Sequence, residues 1–318
     1  MRHLFVDATN LFCRYSCALP TLSLNGDPIG GTYGTLHALK RICELTKPNS
    51  VMIVFDGEGG SLKRREIYKE YKNNSKPLKI KANYLDPKDA EQNLHFQFNK
   101  LLELLECLPV HIVRLKNVEA DDVIAYLCGH FPDDQRIIMS GDKDFFQLLN
   151  DKTIIYCPSK KTLKTKLDCI VEFGVHPNNF ALAKALVGDK SDNIKGVSGL
   201  GFKTLTKLFP MIRESQPIDL TQLFNLCTEK VNDSPKFQAI LNVRDLIIMN
   251  FSLVQLRDTI MGGTNIQRIK SILDQRTSFN STSLRLKIME NRFPLFGQSF
   301  FDTWTQISCT TARRPAAE

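Results

Sequence analysis

Nine carboxylates stand in five short stretches: Asp7, Asp56, Glu119-Ala120-Asp121-Asp122, Asp142-Lys143-Asp144 and Asp189-Lys190-Ser191-Asp192. Any one stretch is explained by acids at a helix start, where the orphan N–H groups and the helix dipole favour negative charge. The set is harder to explain that way, because all nine fall at strand ends or at starts of expected helices. Gathered in one place they would repel each other and push their pKa values upward. A fold tolerates this when cations neutralise the cluster. Hard oxygen ligands without His or Cys select Mg²⁺, with Mn²⁺ as substitute, over zinc. Two such ions roughly 3.5–4 Å apart are common machinery for attack at phosphorus: one generates the nucleophile and the other stabilises the leaving oxygen.

Five short runs rich in β-branched residues can position these acids. They are Leu4-Phe5-Val6, Val51–Phe55, Val110–Val113, Arg136–Met139 and Thr153–Tyr156. Helical patterns at 33–46, 94–107, 119–129 and 144–149 lie between them. Such alternation predicts an α/β fold, a central, mostly parallel sheet flanked by helices. Three of the runs lead into acids, at Asp7, Asp56 and Asp142, where open parallel sheets build their sites. From about 158 helical patterns take over, at 165–173, 177–187, 203–209, 218–230 and 235–249, which predicts a helical region over 161–250. Residues 251–318 read as a mixed C-terminal extension, with a loose tail from about 310.

The chain has 318 residues, enough for about two domains. No apolar run approaches the ~20 residues of a membrane span, and Asp7 interrupts any leader-like stretch, so the expectation is a cytoplasmic protein with no membrane contact. Nine scattered cysteines without a Cys-x-x-Cys pair fit free thiols in a reducing compartment. The net charge is +8, and it is local: from Lys63 to Lys88 there are nine basic residues against three acids. This run is either a solvated helix face or a basic arch, at 57–90, that tracks a polyanion. Tyr68, Tyr71 and Tyr84 among the cations fit stacking on single-stranded nucleic acid. The stretch Gly196-Val197-Ser198-Gly199-Leu200-Gly201-Phe202-Lys203-Thr204 lacks the Gly-Lys-Ser/Thr of a phosphate-binding Walker loop and has no strand pattern before it. It is either an ordinary glycine turn or a backbone cradle for duplex phosphates.

In this order the residues resemble the metal-dependent 5′ nucleases: the 5′→3′ exonuclease domain of bacterial DNA polymerase I and the free-standing flap endonuclease/5′-exonucleases of bacteriophages. The resemblance covers about residues 3–210. It rests on Val6-Asp7-Ala8-Thr9-Asn10 with Arg14 seven residues after Asp7, on Gly26-x-Pro28-x-Gly30-x-x-Tyr33-Gly34, on Val54-Phe55-Asp56 and Tyr71-Lys72, and on Val118–Asp122, Ser140–Asp144 and Gly188–Gly201. It implies a first metal site of Asp7 (through water), Asp56, Glu119 and Asp121. The implied second site is Asp142, Asp144 and Asp189, with Asp121 bridging and Asp122 and Asp192 outside. Lys72 matches the arch lysine that contacts the scissile phosphate, with Arg64 and Arg14 as further cations of the reaction. Tyr71, Lys76, Gly196, Val197, Gly199, Gly201, Lys203 and Thr204 are implied DNA contacts, the glycine loop being a helix–three-turn–helix element that also holds K⁺. Three places depart from the pattern: Ser75 stands where relatives often carry arginine, Lys195 where polymerase-linked members carry proline, and the Asp56–Lys72 spacing is one longer.

The expected activity is that of a structure-specific nuclease, flap endonuclease and 5′→3′ exonuclease, in replication or primer removal. The substrates implied are DNA with a 5′ end, flapped or nicked duplex, and RNA/DNA hybrids. The resemblance further implies a free-standing monomer with a polymerase or a single-strand-binding protein as partner. Two other classes use the same scaffold or site: a non-catalytic DNA-binding protein and a metal-dependent ribonuclease.

Overall fold

The computed structural model describes residues 1–73, 90–257, 261–294 and 296–311. Lys76 and residues 74–89 of the expected arch therefore lie outside the described residues. Six strands form one sheet: β1 (Arg2–Asp7), β2 (Ser50–Phe55), β3 (His111–Arg114), β4 (Gln135–Met139), β5 (Thr153–Cys157) and β6 (Thr162–Lys164). Their order is β3-β2-β1-β4-β5-β6, and every pairing is parallel except β5 with β6. The chain winds outward from β1 in both directions, so the crevice between β1 and β4 is the point where strand order reverses, a favoured place for a site.

Apolar residues face both sides of the sheet, as expected of strands covered by helices on each face. On one side Leu4, Val6, Val51, Ile53, Phe55, Ile137 and Met139 pack with α1 (Ala8–Ala18), α2 (Gly30–Thr46) and, farther along, α4 (Ala90–Leu105). The short α3 (Leu62–Ile67) carries the start of the basic run. On the other side Phe5, Met52, Val54, Val113, Ile138 and Ile155 pack with α5 (Ala120–His130), α6 (Lys166–Phe173) and α7 (Pro177–Val187). The same buried cluster continues through α8 (Phe202–Leu208), α9 (Leu220–Glu229), α10 (Pro235–Leu241), α11 (Arg244–Val254) and α12 (Gly263–Leu273). The 161–250 region thus shares its core with the sheet.

Several expectations change. The 144–149 pattern is a 3-10 helix, Asp144–Leu148. The pattern at 235–249 is two helices, α10 and α11, bent by 72°. A short hairpin of β7 (Gly188–Asp189) and β8 (Ile194–Lys195) precedes the glycine loop, where the sequence shows no strand pattern. The extension is helical: α12 joins one face of the sheet, while α13 (Ser281–Glu290) and α14 (Gln298–Thr311) cover the other. Thr310, expected in a loose tail, is in the last turn of α14. No single described helix is long and apolar enough to cross a membrane.

Trp304 on α14 is fully buried among Phe300, Phe301, Leu284 and α2 residues. Truncating such a side chain costs its transfer energy plus a cavity term. Trp304→Ala should lower unfolding free energy by about 3–5 kcal/mol, read by denaturant unfolding followed by circular dichroism. A loss near zero would mean that α14 is not part of the core.

Candidate metal centre and nucleic-acid interface

Each acid reaches the site through a local device. Asp7 ends β1 and caps α1, accepting the Asn10 N–H at 3.3 Å. Its other oxygen accepts the Ser140 hydroxyl at 2.7 Å, a bond that crosses from β1 to the end of β4. Asp56, one residue past β2, accepts the Ala120 N–H at 2.7 Å and so satisfies a donor at the start of α5. Glu119 occupies the N-cap position of α5 yet makes no capping bond, its carboxylate being turned to cations instead. Asp121 and Asp122 follow in the first turn, where the helix dipole favours them. Asp142 is exposed, and its carboxylate accepts the Asp144 N–H at 2.9 Å. Asp189 lies in the β7–β8 hairpin and accepts the Ser191 N–H at 2.7 Å.

Six of the nine acids form two groups, while Asp7, Asp56 and Asp142 fall in neither. Carboxylate oxygens of Glu119, Asp121 and Asp122 lie within 4.8 Å of one another, and so do those of Asp144, Asp189 and Asp192. Asp122 and Asp192, expected outside the ligand sets, are thus full members of these groups. Both donor sets are oxygen only, and both suit a hard divalent cation.

Three basic side chains pair with the groups, and Lys72 links the two. Arg64 is buried and holds Asp122 through both oxygens, at 2.8 and 2.9 Å, and Glu119 at 2.5 Å. Its Nε donates to the Leu253 carbonyl at 2.9 Å. Lys72 donates to the other Glu119 oxygen at 2.5 Å, and its own N–H bonds the Asp192 carbonyl at 3.0 Å. Lys184, on α7, bridges Asp144 and Asp189.

Burial and crowding set the charge states. Burial pushes the Asp7 carboxyl up to about 7, with Asp56 and Asp142 adding to the rise against the Ser140 bond. Burial likewise raises Asp192 to about 6. Asp144 also moves upward, because burial outweighs the Lys184 ammonium. Asp189 shares that ammonium but moves down: it is less enclosed, and Lys184 and Ser191 outweigh its desolvation. Burial disfavours the Lys72 charge, yet Tyr71, Glu119, Asp121 and Asp192 raise its pKa.

Some expected contacts fall elsewhere. Arg64 does not face a groove where a phosphate would lie; its guanidinium is spent on two carboxylates and a carbonyl inside the protein. Tyr71, expected to stack on bases, is buried against Ala185, Ile194, Leu253 and Val254. Its ring serves the Lys72 ammonium instead, 5.2 Å away. Val197 is a core residue whose N–H is committed to the Leu186 carbonyl at 2.8 Å. Gly196 is required by packing, since a Cβ there would lie 2.1 Å from the Val187 oxygen. Gly199 has φ +66°, in the region that favours glycine. Gly201 and Lys203 are exposed, Thr204 is half-buried at the start of α8, and Arg14 is on the exposed face of α1. Lys184 is the residue that sequence reading missed. The available signal was a lone cation inside Ala181-Leu182-Ala183-Lys184-Ala185-Leu186.

A family model described as "5'-3' exonuclease, N-terminal resolvase-like domain" matches residues 2–174. The chain belongs to this 5′-3′ exonuclease family. DNA polymerase I of Caldicellulosiruptor bescii is 31% identical over 303 residues, covering 91% of this chain and 34% of that protein. The 5′-3′ exonuclease of Aquifex aeolicus is 34% identical over 208 residues, covering 64% of this chain and 68% of that protein. The chain therefore spans about a third of the length of the polymerase that it matches. In fold it is similar to the bacteriophage T5 flap endonuclease solved with DNA and metal ions, with TM-score 0.65, 19% identity, and coverage of 92% of this chain and 98% of that one.

The raised Asp7 carboxyl has a consequence for metal-free protein. Between its ordinary 3.8 and about 7 the folded chain holds a proton that the unfolded chain has lost. Stability from this group is therefore full at the acidic end and falls as pH rises through that window. Asp7→Asn should flatten the fall in thermal midpoint between about pH 4 and pH 7, measured in chelator. An identical pH slope for the variant and wild type would contradict the burial of this carboxyl.

Proposed function

We propose that this chain is a Mg²⁺-dependent, structure-specific 5′ nuclease that hydrolyses DNA near single-strand/duplex junctions, with Mn²⁺ as a substitute ion. The observation that carries this reading is the pair of oxygen-only acidic groups beside the β1–β4 crevice, with Lys72 between them. Asp7, Asp56, Glu119 and Asp121 would hold one ion, and Asp142, Asp144, Asp189 and Asp192 the other. When bound, the ions supply a more acidic water at neutral pH and stabilisation of the departing oxygen.

The chain's own residues do the positioning. Ser140 orients Asp7, and the Ala120 N–H orients Asp56. Arg64 fixes Glu119 and Asp122 and offsets part of their charge. Lys72 is about a third exposed, so its ammonium can leave Glu119 for a phosphate, whose charge grows in the transition state. Gly199, Gly201 and Lys203 are exposed and offer a face for duplex phosphates. The relatives named 5′-3′ exonuclease, and the T5 flap endonuclease solved with DNA and metal ions, support the substrate class. RNA/DNA hybrids, a polymerase or single-strand-binding partner, and a cytoplasmic location belong to the same proposal.

Product mapping on a 5′-labelled flap substrate with Mg²⁺, beside one with a blocked 5′ end, tests the reading. Cleavage near the junction that requires the free end is expected, and cleavage of single-stranded RNA alone would favour a ribonuclease. Asp121→Asn should abolish cleavage by orders of magnitude while DNA still binds; near-wild-type rates in Mg²⁺ would sink the two-ion site. Lys72→Ala should reduce single-turnover rate by roughly 100-fold and change DNA affinity little, whereas an unchanged rate would remove Lys72 from the reaction.

A further inference from the structure

Lys184 is 6% exposed and sits between two alanines, Ala183 and Ala185, that are fully buried. Among the described residues, the partners of its ammonium are Asp144 and Asp189, two of the three carboxylates in the second acidic group. We propose that Lys184 is a tethered counter-cation of this group, and that a divalent ion enters the group only by displacing the ammonium. The inference rests on the reading of the two acidic groups as ion sites.

Three observations carry it. First, the ligand oxygens of the group lie within 4.8 Å of one another. A divalent ion among them would stand beside the ammonium at a distance where like charges repel strongly in a partly buried site. Second, among the described residues the ammonium has no anchor other than the charges it neutralises. Arg64, by contrast, is also fixed to the Leu253 carbonyl, so its place beside the first group is permanent. A lysine is a compact charge on a flexible stem and can withdraw, which a forked guanidinium held at both ends cannot. Third, the first group's lysine is the more accessible of the two: Lys72 is 36% exposed on its side chain, against 7% for Lys184. Ion entry at the second group breaks two charge-assisted hydrogen bonds in an enclosed space, so the two groups fill in order, the second more weakly. Lys184 is thus a positioning residue that keeps Asp144 and Asp189 together when the ion is absent and sets how tightly it binds.

The test is Mn²⁺ binding to the full chain without DNA, by calorimetry and by electron paramagnetic resonance. Wild-type protein should show two classes of site, and Asp192→Asn should weaken only the weaker one. Lys184→Met and Lys184→Gln should tighten the weaker class by on the order of tenfold or more, and Lys184→Arg should not. Unchanged or weaker binding in both neutral variants, folded by circular dichroism, overturns the proposal. If a neutral variant folds only with Mn²⁺, its dissociation constant is taken from the ion dependence of folding after correction for the variant's ion-free unfolding constant, and a corrected value weaker than the wild-type second-class constant overturns the proposal equally. The failures are separable: no Mn²⁺ binding by wild-type protein would remove the nuclease reading itself, whereas two classes with no effect of Lys184 would remove only this inference.

Discussion

The repulsion among carboxylates gathered at one end of the sheet is the constraint around which the structure is arranged. Asp7, Glu119, Asp122 and Asp144 are all buried. Buried acids are costly when charged and unpaired. The fold meets that cost with three cations, each reaching in from a different element: Arg64 from α3, Lys72 from the turn after it, and Lys184 from α7. Burial still wins at several of the acids: the Asp7 carboxyl shifts upward, and so does that of Asp144 beside Lys184. Charge therefore links the core to segments that sequence order keeps far apart. Arg64 contacts acids more than fifty positions away and the Leu253 carbonyl 189 positions away.

The topology makes this concentration of charge unavoidable. Parallel pairing of β1 with both β2 and β4 puts their carboxyl ends on one edge. Asp7 and Asp56 sit at two of those ends, and the Ser140–Asp144 turn follows the third. The helix starting at Ala120 points its N-terminus at the same edge, adding a dipole that partly compensates the acids. Ordinary capping and the acidic site are one arrangement here: the Asp56 carboxylate satisfies an N–H of α5, and the Asp7 carboxylate one of α1.

The first five strands were legible because each is a short run rich in β-branched residues, and three of the acids because they stop such runs; β6, β7 and β8, only two or three residues each, carry no such run. What stayed hidden depended on contacts between distant segments. Arg64 reads as one of nine solvated cations, and nothing in its neighbourhood shows that it folds inward onto Asp122. Tyr71 reads as a stacking residue because it stands among lysines, yet the turn at 68–73 presses its ring onto residues from α7, β8 and α11. Lys184 is five positions before Asp189, off the helical spacing that would suggest a pair, and its bridge forms only because the β7–β8 hairpin folds back. The break between α10 and α11 carries neither proline nor glycine at 242–243, so the apolar pattern runs through a bend that tertiary packing imposes.

Lys72 shows how far this coupling extends into the backbone. It has φ +52°, a left-handed conformation that costs a residue with a Cβ roughly 1–2 kcal/mol. Its N–H bond to the Asp192 carbonyl holds it there, and its ammonium meets Glu119 of the other acidic group. One residue thus spans both groups, by main chain on one side and side chain on the other. The Asn193 amide adds a second tie, donating to the Glu70 carbonyl at 2.9 Å. A relaxed, extended Lys72 would lose the bond to Asp192 and swing the ammonium off the line between the groups. The strain is local, and it fixes Lys72 to the acidic edge. The position of its ammonium relative to the ions is then set by the same carboxylates that would hold them.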